Sequence, residues 1–202
     1  MAVDRLTPTR CGWCGTEEIY VNYHDQVWGR PVADSRELFE KLCLDGQQAG
    51  LSWITILKKQ ANYEKAFDQF NPEKIARYTD KRVEKLLQNP GIVRNRLKVN
   101  SIIKNARAYL AMEEAGTPFN EFIWQFVDGK PIINEFTDMS QVPANTEVSD
   151  QMSKALKKAG FSFVGSTIVY AFMQAVGIVN DHLVSCHCYQ PCAKAQKAFR
   201  LN

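Results

Sequence analysis

The sequence predicts an all-α, compact multi-helix domain, and three observations carry that prediction. Apolar residues recur at helical spacing along most of the chain, alternating β-branched runs are scarce, and start and stop signals divide the periodic stretches into roughly eight to ten short helices. The chain has 202 residues, of which 45% are hydrophobic, enough for one well-buried core. Residues 1–202 are therefore read as a single domain, with 1–10 and 190–202 as flexible tails.

The elements follow in order. Asp34 or Ser35 caps a helix carrying Leu38, Phe39, Leu42 and Cys43 on one face. Ser52 caps the next, with Ile56, Leu57, Tyr63, Ala66 and Phe67. Asn71-Pro72 starts a short helix, since proline fits the first turn. Asp80 starts another, with Val83, Leu86 and Leu87, and Asn89-Pro90-Gly91 ends it. Val99, Ile102, Ile103, Ala106 and Leu110 mark a longer helix that stops near Gly116. Phe119, Phe122, Ile123 and Phe126 mark one more, closed by Asp128-Gly129. The stretch 130–148 has no clear period and contains Pro131 and Pro143, so it reads as a long connection. Helix resumes from Ser149 to Ala159 and from about Ser166 to Val176. Each of these helices needs its neighbours to bury its apolar face.

Composition narrows the function classes. No apolar run approaches the roughly 18 residues of a membrane span. Met1 to Arg10 carries Asp4, Arg5 and Arg10 and lacks the apolar core of a signal peptide, so a cytoplasmic protein is expected. The net charge of +3 decides little, but its distribution says more. From Pro90 to Met112 come Arg94, Arg96, Lys98, Lys104 and Arg107 with no acid, and from Gln151 to Asn180 come Lys154, Lys157 and Lys158, again with none. Such stretches predict local positive surface.

Three constellations could carry chemistry. In the first, Leu156 to Thr167 runs from helix through a two-glycine turn, Gly160 and Gly165, into a new helix. Glycines permit close backbone approach, and the free N–H groups of the new helix suit a phosphate, with Ser166 and Thr167 adding hydroxyls. An ordinary helix–helix turn is the plainer alternative.

The second is a metal set. Cys11, Cys14, Cys43, Cys186, Cys188 and Cys192 should be mostly reduced in a cytoplasmic chain. Five of the six lie near the chain ends, close to His24, His182 and His187. Cys11 and His24, with His182 and Cys186 four residues apart on one helical turn, would form a closed tetrahedral site typical of structural zinc. Cys14 competes at one end, and His187, Cys188 and Cys192 at the other. Four protein ligands leave no open position for catalysis.

The third is aromatic. Trp13, Tyr20, Tyr23 and Trp28 fall close together, and Trp53 closes the run Asp45-Gly46-Gln47-Gln48-Ala49-Gly50-Leu51-Ser52. An acid, two amides and two glycines around a helix end are unusual for core and suit a pocket for a planar ligand.

Longer motifs make the chain recognisable: Arg10-Cys11-Gly12-Trp13, Tyr23-His24-Asp25 followed by Trp28-Gly29, the Leu44 to Trp53 run, Gly91 to Lys98, Gly160 to Gly165, and Val179-Asn180-Asp181-His182. In these motifs, from Cys11 through Tyr189, the chain closely resembles the 3-methyladenine DNA glycosylase I family of the helix-hairpin-helix superfamily. The resemblance implies a structural zinc on Cys11, His24, His182 and Cys186, and a base pocket of Tyr23, Trp28 and Trp53. The family's characteristic acid maps onto Asp45, with Tyr23 beside it in the catalytic set. That acid is typically Glu, so Asp45 is one methylene shorter. The resemblance also implies a hairpin holding double-stranded, alkylated DNA through Gly160, Phe161, Val164, Gly165 and Ser166 with Lys157 and Lys158, and a monomer is the default expectation for a chain that wraps one lesion. The implied reaction is hydrolysis of the N-glycosidic bond of 3-methyladenine, without strand cleavage. A lyase step needs an amine close to the hairpin, and no lysine occurs from Ala159 to Ala193. Asp181 reads as a partner of His182 rather than a catalytic acid. A zinc-stapled DNA-binding module that catalyses nothing is the rival from another class.

Overall fold

Side chains at helix starts set most element boundaries in the computed structural model, which describes residues 8–201. The helices are α1 (Glu18–Gln26), α2 (Ser35–Gln47), α3 (Trp53–Leu57), α4 (Gln60–Ala66), α5 (Pro72–Ile75), α6 (Asp80–Leu87), α7 (Arg96–Glu114), α8 (Phe119–Trp124), α9 (Glu147–Lys158), α10 (Ser166–Ala175) and α11 (Tyr189–Ala198). The Asp34 carboxylate accepts from the N–H groups of Arg36 and Glu37, Asn71 from Lys74 and Asn95 from Lys98, each relieving orphan donors of a first turn. Thr146 and Ser149 form a reciprocal capping box that starts α9 two residues earlier than the apolar period suggests.

The core is one apolar cluster built around α2, whose Leu38, Phe39 and Leu42 are fully buried against α7, α8 and α10. Phe67, Phe70, Phe119, Trp124 and Phe172 fill the remaining volume. Among the described residues no helix is long and apolar enough to cross a membrane.

Four expectations need correction. First, the helix expected from Ser52 to Phe67 breaks at Lys58–Lys59 into α3 and α4, and the Ser52 side chain does not cap it but bonds to the Thr55 hydroxyl. Second, the fold is not wholly helical. Ile132–Ile133 (β1) pairs in parallel with Val179–Asn180 (β2), a ladder too short for alternation to register. Third, most of 190–202 is not a tail. The chain folds there into α11, with Cys192, Ala193 and Gln196 buried, Gln196 donating to the Gly177 carbonyl at 3.0 Å, and Phe199 stacked on Trp124 at 4.3 Å. Pro191 fits because its missing N–H falls in the first turn. Residues 1–7 of the expected N-terminal tail lie outside the described residues, whereas Arg10 is anchored on Asp25. Fourth, the cations of the Pro90–Met112 stretch are partly structural: Lys98 is buried, Arg96 pairs with Glu84, and Arg107 donates to the Ala76 carbonyl.

Gly177 fixes the approach of the segment that carries Trp28. Its φ is +71°, and a Cβ there would meet the Arg30 carbonyl carbon and Pro31 nitrogen at 2.4 Å. That closeness lets Gly29 and Val32 bond to the Ala175 and Val176 carbonyls, laying 28–32 along the end of α10.

Candidate functional site: an aromatic pocket backed by a Cys/His cluster

The C-terminal end of α2 carries the acid of the site. Helix ends leave carbonyls unpaired, and here Lys98 from α7 supplies the donors, its ammonium bonding to the Gln47 and Ala49 carbonyls at 2.7 and 2.6 Å. The Gln47 side chain answers by donating to the Lys98 carbonyl at 3.0 Å and accepting from the Tyr63 hydroxyl at 3.3 Å. The odd polar composition of the Asp45–Trp53 run thus has two uses: the amide at Gln47 braces a helix end, and Asp45 faces a cavity.

That cavity measures about 220 Å³. Its lining includes the aromatic rings of Trp13, Tyr20, Tyr23, Trp28 and Trp53 and the polar side chains of Lys41, Asp45, Gln174 and Asp181. Tyr23 and Trp53 lie 5.4 Å apart between ring centroids, and Trp13 meets Trp28 edge-on at 4.9 Å. Asp45 is only 2% exposed. Its Oδ1 accepts from the Lys41 ammonium, one helical turn away, which also lies 3.9 Å above the centre of the Trp53 ring. Burial raises the Asp45 pKa, which Lys41 counteracts; burial likewise lowers that of Lys41 against the pull of Asp45. Burial first, then the Asp45 charge, holds the Tyr23 phenol well above its usual range. Four buried side-chain polar atoms have no hydrogen-bond partner among the described residues, and two of them, Asp45 Oδ2 and Trp53 Nε1, belong to residues of the pocket, the others being Arg82 Nε and Gln196 Oε1. Both pocket atoms belong to residues that line the cavity, where a ligand can satisfy them.

The reverse of the Trp13–Trp28 wall is the Cys/His cluster. The Trp28 ring lies edge-on to His182 at 4.6 Å, and Trp13 is 5.2 Å from His24. Cys11, His24, His182 and Cys186 are all buried, and their ligand atoms lie within 4.8 Å of one another. Sulfur to nitrogen separations are 3.7 Å for Cys11 to His182 Nδ1, 3.6 Å for Cys186 to His24 Nε2 and 3.6 Å for Cys186 to His182 Nδ1. A tetrahedral ion with bonds of about 2.3 Å to sulfur and about 2.0 Å to nitrogen would separate its ligands by roughly 3.5 Å, so the donors fit one. The outer nitrogens are held as well. His24 Nδ1 lies 2.7 Å from Asp25, and His182 Nε2 is 3.1 Å from the Trp28 carbonyl. The Asp25 carboxyl is held far below the usual range, chiefly by the Arg10 guanidinium and then by His24 and His187. Hydrogen bonds from Cys11, His182 and His24 hold the Cys186 thiol down.

The four metal-ligand candidates therefore converge, although His182 and Cys186 do so through an irregular turn rather than a helical one. Cys14, Cys188 and Cys192 stay outside the four. Cys188 instead joins His24, Asp25 and His187 in an adjoining group. The pocket set, Tyr23, Trp28, Asp45 and Trp53, also converges. Asp181 does not serve His182. Its carboxylate accepts from Tyr170 at 2.6 Å, Gln174 at 2.8 Å and Asn134 at 2.7 Å, and it lines the pocket. At the α9–α10 turn, Phe161 and Val164 are buried, so they can offer a ligand only backbone, and the Ser166 hydroxyl is engaged by Ser149 and Asp150. Lys157 and Lys158 are exposed.

Sequence reasoning missed Lys41, Gln174 and Asp25. Lys41 and Asp45 stand at i and i+4, a spacing that brings opposite charges together on a helix, and that signal was available. Gln174, within an apolar helix, could have been flagged as a buried amide. Asp25 follows His24 directly, where only the three-dimensional cluster reveals its use.

An aromatic cavity lined by the carboxylates of Asp45 and Asp181 and carried on a helical scaffold defines a protein with a site suited to a flat ring. More particularly, the chain belongs to the methyladenine glycosylase family, whose model matches residues 13–189. It is 56% identical over 180 residues to a Haemophilus influenzae protein named DNA-3-methyladenine glycosylase, covering 89% of this chain and 97% of that one. A crystal structure of 3-methyladenine DNA glycosylase I superposes with a TM-score of 0.89 at 54% identity, covering 90% of this chain and all of the other. A single-residue variant of 3-methyladenine DNA glycosylase I, crystallised in complex with 3-methyladenine, superposes with a TM-score of 0.86 at 40% identity, covering 89% of this chain and 97% of the other.

Proposed function

We propose that this chain is a DNA repair glycosylase that hydrolyses the bond between deoxyribose and 3-methyladenine in alkylated double-stranded DNA. The observation that carries the reading is the pair of unpartnered buried atoms, Asp45 Oδ2 and Trp53 Nε1, in residues that line a purine-sized aromatic cavity. Its support from relatives is a similar protein that holds 3-methyladenine.

The damaged nucleotide lies inside a duplex and must be flipped out to be reached. Methylation at N3 makes the base cationic, so the glycosidic bond is already weak and the leaving group needs no acid. The protein's task is to select and orient the base. Trp53, Trp28 and Tyr23 offer π-faces, each worth about 0.5–2 kcal/mol toward a cation. Asp45 Oδ2 accepts from the exocyclic amino group of adenine, and Tyr23 adds a further hydrogen bond. Neutral adenine gains less from the same groups.

The α9–turn–α10 segment acts as a helix-hairpin-helix that grips the phosphate backbone. Gly160, at φ +98°, makes the turn, and the cap Gly165 brings no side chain to cover the first N–H groups of α10. Gly160, Phe161, Val164, Gly165 and Ser166 contribute main chain, and Lys157 and Lys158 contribute charge. Such contacts position the enzyme without reading sequence. Cys11, His24, His182 and Cys186 hold one zinc ion. Bound there, it ties both chain ends together behind the pocket and supplies no open coordination position. The protein works as a cytoplasmic, single-domain monomer.

A second reading rests on Lys41, an amine inside the pocket, which could support a lyase step. Its amine is engaged by the Asp45 carboxylate, whereas a lyase step needs that amine free to attack the sugar. Incubation with alkylated duplex DNA separates the readings. Free 3-methyladenine appears and the strand remains intact until alkali is added. Strand nicking without alkali establishes the lyase, and no free base with protected DNA establishes a binder.

A further inference from the structure

Lys41 is a charged group of the pocket that the proposed chemistry does not use. It sits on both groups that the base would engage: its ammonium is paired with Asp45 Oδ1 and lies 3.9 Å over the Trp53 ring. Its side chain is 14% exposed and that of Asp45 is 2% exposed, so water screens the pair little. Gln174, an amide donor that also lines the pocket, is committed to Asp181 at 2.8 Å.

The consequence follows from counting charge along the reaction. In the ground state the N3-methylated base is a cation. As the C1′–N9 bond breaks, its electron pair stays on the base, which leaves as a neutral molecule, and the positive charge passes to the sugar. A lone carboxylate against the base stabilises the cationic ground state more than the departing base, so it tightens binding and slows departure. Only interactions stronger in the transition state speed the step. An ammonium bonded to that carboxylate cancels its charge yet leaves Oδ2 as a hydrogen-bond acceptor.

We propose that Lys41 is a specificity-determining residue of the base pocket: it neutralises Asp45, so that the pocket recognises the adenine edge by hydrogen bonding and stacking without the carboxylate holding the bound cation more tightly than the departing neutral base. This inference rests on the reading of the cavity as the base pocket. Lys41 also sets what the pocket rejects, because a carboxylate whose charge is cancelled does not collect cations indiscriminately.

The test uses two small probes and three forms of the full chain. Neutral 3-methyladenine stands for the departed base, and the fixed cation 3,9-dimethyladeninium stands for the base still bonded at N9. Affinities for both are measured by calorimetry on the wild type, on Lys41→Gln, which keeps a donor to Asp45 without the charge, and on Lys41→Arg, which keeps the charge. Lys41→Gln is expected to shift the ratio of affinities toward the cation by at least about ten-fold, as one uncompensated buried charge requires. Lys41→Arg is expected to leave the ratio within about three-fold of wild type, given its different fork geometry. On alkylated duplex under single turnover, Lys41→Gln should lower both the half-saturating concentration and the maximal rate, the split that a merely structural role does not produce. If both probes bind every form and the ratio is unchanged in Lys41→Gln, the inference is overturned while the pocket reading stands. If neither probe binds any form, the pocket reading fails and takes this one with it.

Discussion

The imidazole Nδ1 of His24 lies 2.7 Å from the carboxylate of its neighbour Asp25, which turns Nε2 toward the Cys186 sulfur 3.6 Å away. Asp25 thus fixes the tautomer of the residue before it. Arg10 closes on the same carboxylate at 2.7 Å, so the segment before the cluster is tied to it through one acid. Partners of this kind typically account for about 10–100-fold in metal affinity. Asp25→Asn is therefore expected to lose zinc to a competing chelator at least about ten-fold more readily than wild type. Metal content after graded chelation checks this, and base release at saturating zinc should stay near wild type.

The grip on DNA is expected to be electrostatic and independent of sequence. Lys157 and Lys158 lie in the last turn of α9, exposed and separated from Gly160 by Ala159 alone. Replacing each with Ala should flatten the dependence of log affinity on log salt by about 0.9 for every phosphate that is no longer neutralised. Binding to undamaged and damaged duplex should weaken alike. Titrations at several salt concentrations measure the slope, and an unchanged slope places the DNA elsewhere.

Stability should carry a pH signature from Glu40, remote from the cluster. Burial first, and the nearby Glu64 next, push its carboxyl up to about 7. An acid whose folded pKa is raised costs stability once it must ionise. The penalty is absent below about pH 4.5, grows as pH rises toward 7, and is constant above that. Glu40 is partly exposed, which discounts the effect to about 1 kcal/mol. Glu40→Gln is expected to raise the unfolding free energy by about that amount at pH 8 and to leave it unchanged at pH 4. Urea titrations at both values check it; equal effects at the two would show that the gain is not one of ionisation.

Much of this molecule was legible from residue patterns, and the exceptions have physical reasons. Caps at Asp34 and Asn71 act as their side chains predict, because capping is local. The clustering of Cys and His at both chain ends was legible because metal-ligand residue types are few, and the polar Asp45–Trp53 run because its composition is unusual for core, whereas the choice among the cysteines and the place of Tyr23 in the pocket followed from the family resemblance. The α11 helix was not recognised, although Tyr189, Cys192, Ala193 and Gln196 follow helical spacing, because cysteine and proline weigh against helix in isolation. The β1–β2 pair depends on partners 47 residues apart, Ile132 and Val179, which no local pattern reveals. The roles of Lys98 and Asp181 were misjudged for a common reason. Their partners, the Gln47 and Ala49 carbonyls for the one and Tyr170, Gln174 and Asn134 for the other, come from segments brought together only by folding.

Release of free 3-methyladenine from alkylated duplex DNA, compared for wild type, Asp45→Asn and Asp45→Glu, tests the central claim most directly. Wild type should release the base. Asp45→Asn should lose at least about ten-fold in kcat/KM, since it removes the charged acceptor and leaves the Lys41 ammonium unpaired against a cationic base. Asp45→Glu should retain release, since it keeps the carboxylate within reach. Wild type inert while Asp45→Glu releases base would contradict the account, making the shorter acid of this chain a loss of catalysis rather than a working substitute.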